Sequence, residues 1–452
     1  MKLFGLSSFS GEGLKARSLR GAALTVIAFG GNKVLRLASN LIMTRLLFPE
    51  AFGLMALVFV FISGLKMFSD TGIRTSIMQS ARGDDPDFLN VAWTVQICRG
   101  VVLWLGTCAL AWPVAALYGE PMLVQLLPVT GLTLIIAGLT TTKVASANRH
   151  LMLGRITAIN LGTQLAGMII TIALAYLLRS VWALVIGALV TTTLSMLIEH
   201  RILPGIRNRL HWDQEIFLEL FQYGKFIFLS TAVTFMITQG DKAILGGYVS
   251  LAELGIYNIG YFLGSVPLFL SQAGNNKVVF PLYRIKPIAE NPGNRAKVFK
   301  ARRLVIAACL GLSALLAYGG IVLVEFLYDP RYHLAGPIVV LLSLTVVPQV
   351  VMTSYVSLLL ASGDSKRVFI LNMSTALIQT SLMFAGVIWF GIFGVLAAPP
   401  VAFLLTHPMR VRFVRRYDGW DGRGDILFLS LGFVINGFAC WLYWDDIVRL
   451  IG

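Results

Sequence analysis

The chain has 452 residues, of which 57% are hydrophobic and 13% charged, and it carries a formal net charge of +15. Soluble domains average about 45–50% apolar and about 25% charged residues, so a mean hydropathy of +0.77 excludes a soluble enzyme with a single anchor. It also excludes disorder, which needs low hydrophobicity. One membrane-crossing helix needs about 20 apolar residues to span a ~30 Å hydrocarbon core, and this composition predicts an all-α integral membrane protein.

Lys15, Arg17 and Arg20 precede an apolar stretch that runs on without a small-residue cleavage site. It is therefore read as a first spanning helix rather than a cleavable signal. Further along the chain, apolar windows predict spans near 20–46, 51–78, 91–117, 121–142, 153–178, 181–199, 221–249, 253–281, 303–328, 335–361, 367–389, 391–409 and 425–444. Pro113, Pro128, Pro267, Pro348 and the pair Pro399-Pro400 fall inside spans. Each removes a backbone donor and can bend its helix.

With the N-terminus in the cytoplasm, 26 of the 37 Lys and Arg residues fall in cytoplasmic segments and 4 on the opposite side. Those four are Arg45, Arg179, Arg331 and Arg449. This is the asymmetry of a positive-inside topology. The basic excess thus has an ordinary cause, and no nucleic-acid partner is expected. The expected location is a bacterial inner membrane, with the C-terminus on the periplasmic side. Cys98, Cys108, Cys309 and Cys440 all lie in apolar stretches without a CxxC or a His partner at ligand spacing, which points to packing rather than a metal or disulfides. No GxxxxGK[ST], HExxH or GxSxG occurs. A nucleotide-driven pump or a hydrolase has no support, and no cofactor is expected.

An internal echo spans 202 residues. Gly53, Ser63, Ser69 and Gly72 match Gly255, Ser265, Ser271 and Gly274, and a second echo joins Arg155 and Asn160 to Arg367 and Asn372. The first offset contains six spans, an even number, so both copies enter the membrane from the same side. The expected architecture is two six-helix lobes, residues 1–210 and 211–415, related as parallel repeats. One additional C-terminal helix lies in 416–452. The alternative is that both halves merely solve the same hairpin-packing problem.

Charges inside spans are expensive, and they normally face a bundle interior or a water-filled cavity. Lys33, Arg36 and Asn40 fall at i, i+3 and i+7, on one helical face. They either line a cavity that binds an anion or pair with carboxylates and helix ends. Lys66, Asp70 and Arg74, at i, i+4 and i+8, read as a ladder on one face of a single helix. Asp241 and Lys242 are neighbours whose side chains leave the helix about 100° apart, so they are not expected to pair. Asp241 is then an ion-coupling site or a partner for a base in the other half, with Asp70 a second coupling candidate. Arg99 divides evenly between a cavity and a structural role. The candidate cationic cavity comprises Lys33, Arg36, Arg99, Lys66 and Lys242. Its polar companions are Asn32, Asn40, Asn160, Gln164, Gln239, Gln349, Asn372 and Gln379, which could equally bridge helices.

Several of these stretches carry a family pattern. Arg20-Gly21, the run Thr44-Arg45-Leu46-Leu47-Phe48-Pro49-Glu50-Ala51-Phe52-Gly53 and Phe68-Ser69-Asp70-Thr71-Gly72 resemble the opening of Wzx-type polysaccharide flippases. Gly240-Asp241-Lys242-Ala243-Ile244-Leu245, with Ala252-Glu253-Leu254-Gly255-Ile256-Tyr257, resembles the start of their second half. Leu327-Tyr328-Asp329 through Ala335-Gly336-Pro337 resembles an outer hairpin. The resemblance covers about residues 17–410, in the superfamily that also holds MATE drug exporters and lipid II flippases. It implies a V-shaped bundle of two six-helix lobes working by alternating access. Its implied cargo is a polyprenyl-diphosphate-linked oligosaccharide drawn from membrane lipid, with a polymerase and export machinery as further partners. Larger relatives carry two helices beyond these lobes, whereas this sequence shows one. The competing functions are a cation-coupled drug exporter, a membrane-embedded polymerase or ligase, and a scaffold. The net positive charge within the spans disfavours the exporter, and the short outer loops disfavour the polymerase.

Overall fold

The computed structural model describes residues 14–69, 72–150 and 152–450, with side chains omitted at 14–29, 153, 221–229 and 289. Among the described residues the chain is helical, without strands. Its helices are α1 (Leu14–Leu46), α2 (Pro49–Phe68), α3 (Ile73–Gln79), α4 (Pro86–Tyr118), α5 (Leu123–Gly138), α6 (Lys143–Arg149), α7 (Leu153–Leu178), α8 (Trp182–Ile202) and α9 (Gln214–Leu245). They continue with α10 (Leu251–Gly264), α11 (Val266–Gly274), α12 (Phe280–Ile285), α13 (Pro292–Leu327), α14 (Ala335–Thr345), α15 (Val347–Ala361), α16 (Ser365–Leu405), α17 (His407–Arg415), α18 (Gly422–Leu442) and α19 (Trp444–Val448).

Seven of these are long and apolar enough to cross a membrane, and ten segments qualify when each bent pair is counted as one span. This is a multi-pass membrane protein. The bends have identifiable causes. α10 and α11 meet at 43°, and α14 and α15 at 48°. In each case the second helix carries a proline at its start, Pro267 or Pro348, where a missing N–H costs nothing. α5 and α6 meet at 56° without a proline at the break. α16 is two arms around Gly391, whose φ of 54° only glycine adopts easily. The arms fold together so closely that a Cβ on Gly394 would lie 2.1 Å from the Gly386 carbonyl oxygen. The sequence reading of separate spans at 367–389 and 391–409 matches this reversal.

Two compact units emerge. The first comprises the described residues up to Leu47 together with Phe61–Ala232. The second comprises Phe48–Val60 and the chain from Val233 onward. The first unit therefore runs further than residue 210, because the start of α9 packs Ile216 and Leu220 into a core with Ile73, Ile77, Phe88 and Leu89. The C-terminal helix α18 packs against α13, α14 and α15 within the second unit.

The echoed glycines meet in the second unit. A Cβ on Gly53 would lie 2.0 Å from the Leu251 carbonyl oxygen, and one on Gly255 would lie 2.0 Å from that of Pro49. Pro49 and Leu251 are themselves 202 positions apart, like Gly53 and Gly255. The contact is thus reciprocal, as at a two-fold interface, and it requires glycine because backbone touches backbone.

Candidate functional site

The first unit encloses a cavity of about 620 Å³ lined by α2, α3, α4, α5 and the α5–α6 connection. Its cations are Lys66, Arg74 and Arg99, and among the described residues its lining holds no carboxylate. The Arg99 guanidinium is held in place: Nε donates to Ser69 Oγ at 3.0 Å, and Nη2 donates to the Lys66 carbonyl at 3.0 Å. Ser69 Oγ in turn donates to the Leu65 carbonyl at 2.8 Å. The end of α2 is thereby pinned to α4.

The expected ladder Lys66–Asp70–Arg74 on one helix is not what forms. α2 stops at Phe68, and Gly72, at φ 64°, turns the chain before α3 begins. Lys66 and Arg74 reach the same cavity from two separate helices, and Asp70 lies outside the described residues. A left-handed glycine ends the periodicity on which the ladder depended.

The opposite wall is the break between α5 and α6. A helix interrupted inside a membrane must have its freed carbonyls satisfied from within the protein. Gln96, on α4, donates Nε2 to the carbonyls of Ala137, Gly138 and Thr140 at 3.1–3.2 Å, and Trp93 Nε1 donates to that of Leu139 at 3.2 Å. Asn208 closes the lower edge: its Oδ1 accepts from Thr141 Oγ1 at 2.9 Å and its Nδ2 donates to Thr142 Oγ1 at 2.7 Å. Gly100 and Gly138 let α4 and α5 touch, since a Cβ on either would come within 3 Å of a carbonyl oxygen of the other helix. Sequence reasoning passed over Gln96 and Asn208. Their signal, a lone amide facing a break without a proline, is visible only once the break is known.

Other expected site residues lie elsewhere. Lys33, Arg36, Asn32 and Asn40 are on α1, outside this lining. There α1 packs on α7, and Gln164 Nε2 donates to the Asn32 carbonyl at 3.3 Å. Gln164 Oε1 is buried and accepts no hydrogen bond from the described residues. Asn160 is exposed on α7 and Asn372 half-buried on α16.

The second unit holds a tighter cluster. Asp241, Gln349 and Gln379 line a small pocket of about 30 Å³ with Tyr257 and Tyr261. Contrary to the sequence expectation, Asp241 and Lys242 pair: Lys242 Nζ lies 3.2 Å from Asp241 Oδ2, both side chains buried. A 100° offset separates their Cβ directions, but the four-carbon stem of lysine spans it. Two further contacts fix the pair. Tyr257 donates its hydroxyl to Asp241 at 2.7 Å, and Lys242 Nζ sits 4.2 Å from the Tyr261 ring centroid. Gln379 Nε2 donates to the Ile237 carbonyl at 3.1 Å, while Gln239 Oε1 is buried without a partner among the described residues. The partner of Asp241 is thus its own neighbour rather than a base in the other half.

A second correction concerns Arg302 and Arg410, which fall in segments read as aqueous. Both are buried, at 1% and 2% exposure. Arg302 binds Asp425 at 2.6 Å, Asp421 at 3.3 Å and Ser354 Oγ at 2.6 Å, while Tyr355 donates to Asp425 at 2.5 Å. Arg303 grips both oxygens of Asp421 at 2.6 and 2.7 Å. Burial raises the Asp421 pKa, but the hydrogen bond from Arg303 and the charge of Arg302 more than offset this and hold the carboxyl below its usual range. The network bolts α18 to α13 and α15.

The arrangement of these helices resembles the fold of solved transporters of the MOP superfamily. A lipid II flippase MurJ in an inward closed conformation superposes with a TM-score of 0.70 at 12% identity, covering 94% of this chain and 100% of that one. An inward-facing MATE family multidrug resistance transporter of the MOP superfamily gives 0.60 at 13% identity, covering 90% and 95%. The family described as polysaccharide biosynthesis protein matches residues 42–335, and the chain belongs to it. Its relatives include the lipopolysaccharide biosynthesis protein WzxC of Escherichia coli K12, 21% identical over 60% of this chain and 55% of that protein. The succinoglycan biosynthesis transport protein ExoT of Rhizobium meliloti is 20% identical over 58% and 53%. The amylovoran biosynthesis protein AmsL of Erwinia amylovora is 26% identical over 55% and 65%. The chain spans between about half and two thirds of the length of these relatives.

Proposed function

We propose that the protein is a flippase that carries a polyprenyl-diphosphate-linked oligosaccharide across the bacterial inner membrane for polysaccharide assembly, by alternating access. The observation that carries this reading is the charge of the first unit's cavity: Lys66, Arg74 and Arg99 around about 620 Å³, with no carboxylate among the described lining. Hydrocarbon excludes a sugar diphosphate, and a fixed guanidinium offers fork-shaped donors that suit phosphate. Gln96 and the threonines at the α5–α6 break would face the sugar hydroxyls, and the lipid tail would stay in the bilayer. Lys33 and Arg36 on α1 would extend the cationic path.

The membrane potential favours this direction, since each negative charge moving outward gains about 2.3 kcal/mol per 100 mV. Relatives whose names specify polysaccharide, succinoglycan and amylovoran biosynthesis support the cargo class. The proposed orientation places the N-terminus in the cytoplasm and the C-terminus in the periplasm, with a polysaccharide polymerase and export machinery acting downstream. A drug exporter of the MATE type shares the fold, but a cavity whose described lining carries three cations and no carboxylate is a poor host for cationic drugs.

The test is a deletion strain in which lipid-linked oligosaccharide, surface polymer and sensitivity to cationic drugs are measured together. Accumulated precursor with lost polymer is expected. Unchanged precursor with raised drug sensitivity would move the assignment to the exporter.

A further inference from the structure

We propose that the cleft where α13 and α18 begin is a binding site for the phosphate headgroup of an anionic membrane lipid. The cleft has a volume of about 340 Å³, and its lining includes Arg295, Phe299, Arg303, Trp420 and Arg423. Three guanidiniums thus surround a space the size of a phosphodiester headgroup. The one carboxylate on the lining, Asp421, is already committed to Arg303 through both oxygens and to Arg302. The cleft is therefore left with a positive balance.

A second observation points to a missing acceptor. The indole Nε1 of Trp420 is buried without a hydrogen-bond partner among the described residues, although buried donors in folded proteins nearly always have one. The Arg415 guanidinium packs on the Trp420 ring at 4.0 Å from its centroid. The first turns of two long helices, α13 at Pro292 and α18 at Gly422, also border the cleft, and helix starts favour an anion.

The surroundings select a lipid over free phosphate. One position beyond Arg303, Leu304 is 71% exposed, and Ile426 and Leu427, three and four positions beyond Arg423, are 69% and 59% exposed. On spanning helices such side chains meet acyl chains, so charged head and apolar flank follow one another along both helices. Basic pockets between spanning helices at the membrane surface suit anionic headgroups. The cleft also lies directly over the buried network of Arg302, Asp421, Asp425 and Tyr355. A bound headgroup would neutralise Arg295 and Arg423 and tighten the seating of α18.

The test uses the full chain, purified in a non-ionic detergent and titrated in native mass spectrometry with phosphatidylglycerol, cardiolipin, phosphatidylethanolamine and, as a tail-free probe, glycerol phosphate. Phosphatidylglycerol and cardiolipin should bind at least about tenfold more tightly than phosphatidylethanolamine, and the Arg295→Ala/Arg423→Ala double variant should lose most of that preference. Neither arginine belongs to the buried network, so the melting temperature in lipid-free detergent should stay unchanged. Trp420→Phe, which keeps the ring and removes the N–H, should weaken binding by a smaller factor. Should the double variant fail to fold, Arg423→Gln alone, at an exposed position, must still lower the preference. Equal binding of anionic and zwitterionic lipid, or full retention by the variants, would overturn the proposal. Glycerol phosphate binding as tightly as phosphatidylglycerol would reassign the cleft to free phosphate and overturn the lipid.

Discussion

The two units handle buried charge in opposite ways. In the first, Lys66, Arg74 and Arg99 face an open cavity of about 620 Å³, and two of Arg99's donors are spent on holding it in position. In the second, Lys242 is neutralised by the adjacent Asp241 and lidded by two tyrosines, beside a space of only about 30 Å³. The lesson concerns which charges can act on a ligand. A cation cancelled by its neighbour adds little field to a cavity, whereas cations that line an open space face whatever enters it. Counting charged residues within spans cannot separate these cases, because Lys66 and Lys242 are equivalent in such a count.

Substitutions can break this contrast. The largest effect is expected from Lys242→Ala, which leaves Asp241 buried and unpaired; removing one partner of a buried pair costs about 3–5 kcal/mol. Asp241→Asn/Lys242→Met should restore most of that stability in thermal unfolding, since a neutral replacement of both partners leaves no buried charge uncompensated, and the Asn oxygen can still accept from Tyr257. If Lys242→Ala instead left stability unchanged and abolished transport, the pair would be part of the transport machinery and the contrast would fall. In the first unit the outcome should invert. Arg99→Ala should loosen the join of α2 to α4 yet cost less stability than Lys242→Ala, and should lower flipping in proteoliposomes about 10–100-fold, the worth of a charged hydrogen bond of about 1.5–3 kcal/mol. Arg99→Lys, which keeps charge but loses the fork, should fall between.

Next in size come the reciprocal glycines. A Cβ at Gly53 or Gly255 meets a backbone carbonyl at 2.0 Å that cannot turn aside. Gly53→Ala and Gly255→Ala should each destabilise by about 1–3 kcal/mol or more. Because each glycine meets the same backbone atom of the other helix, the two losses should agree within about 0.5 kcal/mol. A clear inequality in unfolding midpoints would show that the apparent two-fold is only local.

The sequence carries much of this fold, for physical reasons that also mark where it stops. Span positions are legible because backbone groups in a bilayer must be paired within each helix, which forces apolar runs of readable length. Pro267, Pro348 and Gly391 mark breaks through their own backbone chemistry. The break between α5 and α6 carries no such mark, and with it Gln96 stays silent: it becomes informative only when the carbonyls at the break are seen to converge on its amide. The pairing of Asp241 with Lys242 was misread because helical geometry fixes Cβ directions and not the reach of a long side chain. The network of Arg302 with Asp421 and Asp425 joins residues about 120 positions apart, and local periodicity has no access to such distances. Lys66 and Arg99 stand out in the sequence as cations within spans, but only tertiary structure places them, with Arg74, around one cavity.

The smallest expected effect tests how two echoed helices begin. α10 starts at a capping box: Ser250 Oγ accepts from the Glu253 N–H at 3.2 Å, and the Glu253 carboxylate accepts from the Ser250 N–H at 2.8 Å. The position equivalent to Ser250 in the first half is Phe48, which has no side-chain acceptor, and α2 starts on Pro49. Proline at a first helical position gives up no hydrogen bond, and its fixed φ already suits a helix. One copy thus satisfies an orphan N–H with a side chain, and the other lowers the entropy of the unfolded chain. Ser250→Ala should cost about 1 kcal/mol, with Glu253→Ala adding little afterwards because the two bonds form one unit. Pro49→Ala should cost only about 0.4–1 kcal/mol, through the unfolded state. The contrast would sharpen if the Ser250→Ala loss appears as faster amide exchange in the first turn of α10, while Pro49→Ala shifts the unfolding midpoint without local exchange in α2. Local exchange in both helices would mean that the reciprocal Gly53–Gly255 contact couples their starts, so that neither copy fixes its helix alone.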